Sequence, residues 1–414
     1  MNVFLKIDMM EATRLTREGQ LEEAMAVLRG GLAPSSAAAS YFDGDAQQKP
    51  AGTPPILDMV PPSMETGGAW TSPQFREAHS AGRPGGMSPP QMPEALRGFL
   101  DRFVQPGSVR GLDGLVGPAV VRAPAPLPDG AQFEERGYAN AAGSRAYKLY
   151  VPSGYDGTAL PLVVMLHGCT QSPDDFAAGT RMNDLAEEQT FLVAYPAQAQ
   201  SANVSKCWNW FSAGHQQRDR GEPSLIAGIT RQIMRDFPVE PGRVYIAGLS
   251  AGGAAAAVMG SAYPDLYAAV GVHSGLACGA ASDMPSALAA MRQGGSSPGS
   301  RGFGAVPIIV FHGDRDTTVN PVNGDQVIAQ SRAAADLRTT VSHGEAPGGI
   351  RYTRTVQADE SGRPMREQWI LHGVGHAWSG GSTAGSYTDP SGPDASREMM
   401  RFFLQHPTKA APLG

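Results

Sequence analysis

Residues 244–253, VYIAGLSAGG, constrain this chain more than any other stretch. Residues 244–247 are apolar and β-leaning, residues 254–259 are helix formers, and Ser250 lies between Gly248 and Gly252. The order is strand, sharp turn, helix. A serine on such a turn holds a strained backbone that only very small neighbours leave room for, so both glycines have a steric reason to be there. The turn lifts the Ser250 hydroxyl clear of a sheet. It also sets the Ala251 amide at the start of a helix, where a free N–H and the helix dipole favour a developing oxyanion. G-x-S-x-G alone recurs by chance as a glycine-rich turn with a solvated serine, and it is the flanking strand and helix that match what the chemistry requires.

Around this segment, strand-like and helix-like stretches alternate. Residues 145–152 alternate in pattern, and 161–166 and 191–194 are apolar runs of the kind buried in a parallel or mixed sheet. Helical patterning covers 174 to about 189 and 223–237, where Ile226, Ile229, Ile233 and Met234 share one side. Further strands are expected at 268–272, 306–311 and 368–371, and a last helix at 395–405. This alternation predicts an α/β fold, a doubly wound, mostly parallel sheet with helices on both faces. Ligands of such sheets sit at the carboxyl ends of the strands. The folded unit opens near Phe133, and a catalytic domain is expected over 131–408.

Residues 1–130 read as an extension. Apolar positions at Met10, Leu15, Leu21, Ala24, Met25 and Leu28, with charges between them and Gly30 and Gly31 as a stop, predict an amphipathic helix over about 9–28 that packs on the main domain. Residues 50–130 hold fifteen prolines and twelve glycines without a repeat, a composition that predicts disorder. Lys6, Asp8, Glu11, Arg14, Arg17 and Glu18 interrupt the first 32 residues, which therefore read as neither signal peptide nor membrane span. No transmembrane segment is expected, and the default address is cytoplasmic.

Hydrophobic residues make up 41% and charged residues 17%, which suits a large core under a sparsely charged surface. A net charge of -6, with no basic run interleaved with aromatics, gives a nucleic-acid partner no support. Cys169, Cys207 and Cys278 cannot all pair within one chain, and they lack the spacing of a structural zinc site. Cys169 and Cys207 are open to bridging in an oxidising setting, but the expectation is three free thiols in a reduced cytoplasm.

A serine hydroxyl needs a histidine within hydrogen-bond reach and a carboxylate that fixes the histidine tautomer. In hydrolases of this layout the chain order is Ser, acid, His. Downstream of Ser250, an apolar strand runs into a polar loop bearing Asp314 and Asp316. Asp316 is the chosen acid because it lies a few residues beyond the strand end, and Asp314 is the reserve. His376 follows in a glycine-rich loop between a strand and the last helix, whereas His372 closes the strand and reads as structural. The second oxyanion donor is expected from the loop after residues 161–166, where Gly168 allows close approach and the Cys169 N–H is the candidate.

LHGCTQ (166–171), CWNWF (207–211), GLSAGG (248–253), HGDRDTTV (312–319) and GVGHAWSGG (373–381) together resemble the poly(3-hydroxybutyrate) depolymerase family of esterases, which are α/β-hydrolases with a Ser-Asp-His triad. The resemblance spans about residues 135–405 and implies, position by position, Ser250 as nucleophile, Asp316 as acid and His376 as base. Some members of that family act on polyhydroxyalkanoates; relatives cleave feruloyl or acetyl esters of plant polysaccharides. The chain departs from secreted members in showing no signal peptide and no recognisable substrate-binding domain after the catalytic one.

The resulting expectation is a serine esterase working through an acyl-enzyme, with no metal and no organic cofactor. Its partner would be a hydrophobic polyester or oligoester, met at a storage granule surface, with Trp208, Trp210 and Trp378 touching substrate. Two alternatives stay open: a feruloyl or acetyl esterase, and a non-catalytic granule-associated binding protein.

Overall fold

Leu160–Leu166 (β3) is buried at all seven positions, as a strand covered on both faces must be. The computed structural model, which describes residues 126–295, 306–331 and 337–408, shows what covers it. Among the described residues, one ten-stranded sheet contains β1 (Gln132–Asn140), β2 (Gly143–Val151), β3, β4 (Leu192–Pro196), β5 (Val239–Leu249), β6 (Ala269–His273), β7 (Ile308–Gly313), β8 (Arg338–Glu345), β9 (Arg351–Ala358) and β10 (Pro364–Leu371). Their spatial order is β1-β2-β4-β3-β5-β6-β7-β10-β9-β8. The block from β4 to β10 is parallel, flanked by antiparallel β1 and β2 on one side and β9 and β8 on the other. From β3 the chain goes to β4 on one side and then to β5 on the other. That reversal of winding leaves a crevice beyond the strand ends, where doubly wound sheets bind ligands.

The helices are α1 (Pro173–Thr180), α2 (Met182–Gln189), α3 (Gly221–Asp236), α4 (Ala251–Ala262), α5 (Met284–Gln293), α6 (Val322–Gln330) and α7 (Ala395–Phe403). Alternate side chains of β3 feed two cores. Leu162, Val164 and Leu166 meet Ile226, Ile229 and Ile233 of α3 on one face, while Val163 and Met165 meet Phe176, Leu185, Met399 and Phe402 from α1, α2 and α7 on the other. Each such large side chain, fully buried, contributes roughly 2 kcal/mol of apolar transfer. Helices on both faces of a mostly parallel sheet are the architecture expected from the alternation of segments. Among the described residues no helix is long and apolar enough to cross a membrane.

The helix expected over 174–189 is in fact two. Arg181 adopts the left-handed conformation (φ 56°) and its N–H closes on the Ala177 carbonyl, which ends α1 and redirects α2. The β8–β9 hairpin was not anticipated. Seven of the eight residues of β8 are exposed, so no apolar alternation announces it. The expectation of three free thiols is corrected, because Cys169 and Cys207 form a disulfide with Cα atoms 4.2 Å apart. The loops that carry them lie side by side, joined also by the Thr170 N–H donating to the Ser205 carbonyl at 2.7 Å. Spacing along the chain cannot reveal that adjacency. The expected helix at 9–28 and the Pro/Gly-rich stretch to residue 125 lie outside the described residues.

Candidate active site

Ser250 follows β5 directly, with φ 57° and ψ -118°. Such a conformation costs a non-glycine residue on the order of 1–3 kcal/mol and persists only where the surroundings hold it. The Ser250 N–H donates to the His273 carbonyl and the Ser250 carbonyl accepts from Ala254, each at 2.9 Å. A Cβ on Gly252 would lie 2.0 Å from the Leu166 carbonyl oxygen, and one on Gly248 would lie 2.3 Å from the Gly252 carbonyl carbon. Close backbone packing of β3, β5 and the start of α4 therefore demands both glycines.

The loop after β3 passes over the serine, since a Cβ on Gly168 would sit 3.7 Å from Ser250 Cβ. Three of its amides are committed. Gly168 donates to Gln171 Oε1 (2.9 Å), Thr170 to the Ser205 carbonyl (2.7 Å) and Gln171 to the Gly168 carbonyl (3.4 Å). Among the described residues the Cys169 N–H has no acceptor, and the Ala251 N–H heads the first turn of α4, where no intrahelical partner exists. Gln171 is itself anchored, its Nε2 donating to Asp175 Oδ2 (2.9 Å) and to the Ser386 carbonyl (3.1 Å).

His167 opens this loop and is buried. Its Nδ1 lies 2.7 Å from the Gly168 carbonyl and its Nε2 accepts from the Gln198 N–H at 3.1 Å, so the proton resides on Nδ1. Burial pushes its pKa down to about 4, and burial does the same to His406. The unfolded chain binds protons at these histidines below about pH 6.5 while the folded chain refuses them until about pH 4. Stability should therefore fall as pH drops through that window, by up to roughly 3 kcal/mol per histidine. Urea midpoints measured from pH 7 to 4.5 check this, and a flat profile would contradict it.

Beyond β7, Asp316 is buried with its carboxylate fully engaged. Oδ1 accepts the N–H groups of Thr318 (2.9 Å) and Val319 (2.8 Å), and Oδ2 lies 2.7 Å from His376 Nδ1 and 3.4 Å from His312 Nε2. Burial opposes its charge, but the adjacent His376 and the hydrogen bonds from both histidines outweigh that and hold the carboxyl well below the ordinary range. An ionised carboxylate only accepts, so His376 Nδ1 carries a proton and Nε2 presents its lone pair. That Nε2 is buried without a hydrogen-bond partner. Among the described residues no hydrogen bond joins His376 to Ser250. Asp314, the reserve acid, pairs instead with His372 Nδ1 (3.0 Å) and the Gly373 N–H (2.7 Å).

A cavity of about 210 Å³ opens on Ser250 and Ala251. The Cys169–Cys207 bridge, Trp210 and Phe211 form one part of its wall, and Met284, Leu288 and Met291 of α5 another.

Residues 145–341 match the family model described as esterase PHB depolymerase. Over 239 residues the chain is 33% identical to poly(3-hydroxyalkanoate) depolymerase C of Paucimonas lemoignei, covering 55% of this chain and 57% of that protein. Over that stretch the chain is similar to the PHB depolymerase family of esterases. It is also 26% identical over 248 residues to poly(3-hydroxybutyrate) depolymerase of Ralstonia pickettii, covering 55% of this chain and 50% of that one. Feruloyl esterase B of Thermothelomyces thermophilus is 26% identical over 248 residues, with 55% and 82% covered. The chain thus spans about half the length of the two depolymerases. A solved acetyl xylan esterase from Aspergillus awamori superposes with a TM-score of 0.52 at 20% identity, covering 66% of this chain and 99% of that one, and shares the α/β-hydrolase fold.

Only one of the three tryptophans expected at substrate lines the cavity. Trp210 does so. Trp208 is fully buried, its indole N–H donating to the His167 carbonyl at 3.1 Å beneath the loop that follows β3. Trp378 is also buried, donating to Ser396 Oγ at 3.1 Å and stacking on His273 at 5.1 Å. Both are corrected to interior residues, held there by indole N–H groups satisfied inside the protein. His273 was missed altogether. Its backbone carbonyl takes the Ser250 N–H and its ring Nε2 takes the Ser379 N–H at 3.0 Å, so one buried residue links the serine turn to the His376 loop. Burial, then the neighbouring His312 and His376, depresses its pKa far below the usual value. The one signal for it was a polar residue ending the apolar strand AVGVH. The α5 side chains were missed because no motif marks them.

Proposed function

We propose that this chain is a serine esterase that cleaves aliphatic hydroxy-acid esters, poly(3-hydroxybutyrate) or its oligomers, through an acyl-enzyme on Ser250. The observation that carries the reading is an apolar cavity lined by a strained serine, Ser250, with two backbone amides that have no acceptor among the described residues, those of Ala251 and Cys169, in the same lining.

In the proposed cycle Ser250 Oγ bonds to the ester carbonyl carbon as His376 Nε2 takes its proton. Asp316 holds the imidazolium so formed. The Ala251 and Cys169 amides stabilise the tetrahedral oxyanion. Collapse breaks the bond to the leaving alcohol, which departs with the His376 proton. Water then attacks the acyl-enzyme, gives its proton to His376, and releases the acid with Ser250 restored. Every group in the cycle belongs to this chain.

Val204 and Met284, 79% and 38% exposed, stand at the same cavity. Exposed apolar side chains at its mouth support a hydrophobic polyester, chain or granule surface, as the partner. Met284, Leu288 and Met291 are aliphatic, and methionine adapts to irregular apolar chains.

A second reading, a feruloyl or acetyl esterase, draws support from the likeness to feruloyl esterase B, which this chain matches over 82% of that protein's length. A phenolic hydroxyl would meet mostly apolar wall, with Asn203 and Ser205 the polar exceptions besides Ser250, and costs about 1–3 kcal/mol where it stays unpaired. Turnover of p-nitrophenyl butyrate and of 3-hydroxybutyrate oligomers should therefore exceed that of methyl ferulate by about tenfold or more in kcat/KM. The opposite order would favour the second reading.

A further inference from the structure

The rim that bears Ser250 carries another depression, of about 570 Å³, which the proposed ester chemistry does not use. It lies beyond β7, where the ends of β7, β10 and β8 meet the start of β9. Asp314, Arg315, His343, Arg351, Tyr352 and His372 line it.

The acid in this lining is already satisfied. Asp314 Oδ2 faces His372 Nδ1 at 3.0 Å and Oδ1 accepts the Gly373 N–H at 2.7 Å. A line of hydrogen bonds continues from it, with His372 Nε2 2.9 Å from Thr353 Oγ1 and Thr353 Oγ1 3.0 Å from His343 Nδ1. Because Asp314 accepts from His372 Nδ1–H, His372 Nε2 accepts from the Thr353 hydroxyl, whose oxygen accepts from His343 Nδ1–H. The loop backbone is fixed as well, since Asp314 N–H donates to the Leu371 carbonyl and Arg315 N–H to the Val374 carbonyl, both at 3.0 Å.

What remains without a hydrogen bond among the described residues is two guanidinium groups; against burial, and behind the His372 hydrogen bond, Arg315 also helps hold the Asp314 carboxyl below its ordinary range. Neither Arg315 nor Arg351 makes an ion pair among the described residues, and Glu345, opposite Arg351 across the β8–β9 pair, makes none with it. A rigid depression whose unused hydrogen-bonding capacity is two guanidinium forks, over one carboxylate already taken, is built for an oxyanion. The planar fork matches the two oxygens of a carboxylate.

We propose that this depression binds the carboxylate of a hydroxyalkanoate, the group that ester hydrolysis liberates and that an oligoester carries at its acid end. The identity of the ligand rests on the ester-hydrolase reading; the anion site rests on Arg315 and Arg351. Arg315 stands between Asp314 and Asp316, so the loop that bears the proposed catalytic acid also bears the site. An oligoester with a free acid end gains an anchor there that its neutral ester lacks.

Isothermal titration of the full chain at fixed low ionic strength tests this with 3-hydroxybutyrate, with 1,3-butanediol as the neutral isostere, and with inorganic phosphate. Expected are one millimolar site for 3-hydroxybutyrate, none for the diol, and at least about tenfold weaker binding in Arg315→Gln/Arg351→Gln. A melting curve matching the parent shows that the double variant is folded. If it is not, Arg351→Gln alone, exposed on its strand, should still weaken binding about threefold. No binding of 3-hydroxybutyrate, equal binding of the diol, binding undiminished in the folded variant, or binding of phosphate alone would each overturn the proposal. Titration needs no turnover. A chain that binds the acid but cleaves no ester loses only the ester reading, and one that cleaves p-nitrophenyl butyrate but binds no acid loses only this site.

Discussion

Replacing Ser250 with alanine is expected to lower turnover of p-nitrophenyl butyrate by about 10³-fold or more and to abolish labelling by a fluorophosphonate. The size of the effect follows from the covalent role. Without Oγ no acyl-enzyme forms, and what remains is the modest assistance of the oxyanion amides to direct attack by water. The variant should fold as the parent does, because the Ser250 side chain makes no cap hydrogen bond to α4 and alanine bears the same positive φ with similar strain. Matching melting curves would establish that. Persistent labelling of Ser250→Ala would move the nucleophile elsewhere. A folded parent that resists the probe would favour the granule-binding alternative, in which this fold is only a scaffold.

Removing the Cys169–Cys207 bridge is expected to cost about 4 kcal/mol of stability, the chain-entropy value for a closed loop of this length, since the two cysteines are 38 residues apart. A Cys169→Ala/Cys207→Ala variant, compared with the parent by urea denaturation, measures it. Activity should fall with it by about tenfold, because the bridge ties the loop carrying the Cys169 amide to the wall of the cavity, and a donor displaced by a fraction of an ångström no longer meets the oxyanion. KM should move less than kcat, as befits a contact realised in the transition state. The same experiment bears on compartment. A bridge worth several kcal/mol suits an oxidising one, and a reduced parent equal in stability and activity would suit the cytoplasmic address expected from the sequence.

The parts of the candidate site that could be read in advance share a property. Gly248, Ser250 and Gly252 are specified by sterics within five residues, and the contacts a Cβ would make at Gly248 and Gly252 show how little else fits. Asp316 and His376 each stand in a loop just beyond a strand, where chain order and local polarity point to them, and the structure brings them to 2.7 Å. Trp208 and Trp210 show where such reading ends. Two residues apart in one loop, they differ in what lies above them: the loop after β3 over Trp208, the open cavity over Trp210. The β8–β9 pair escaped notice because a strand with both faces wet carries no apolar alternation to detect.

By itself, then, the sequence determined the strand-turn-helix around Ser250 and the alternation that makes a doubly wound sheet. Each of these is dictated by short-range sterics or by the periodicity with which side chains meet a core. Only the tertiary structure decided that Cys169 pairs with Cys207, that His273 joins the serine turn to the His376 loop, that α5 walls the cavity, and that Arg315 and Arg351 face one depression. These are meetings of segments far apart along the chain, and the energy that selects them comes from packing the whole sheet, which no local pattern of residues records.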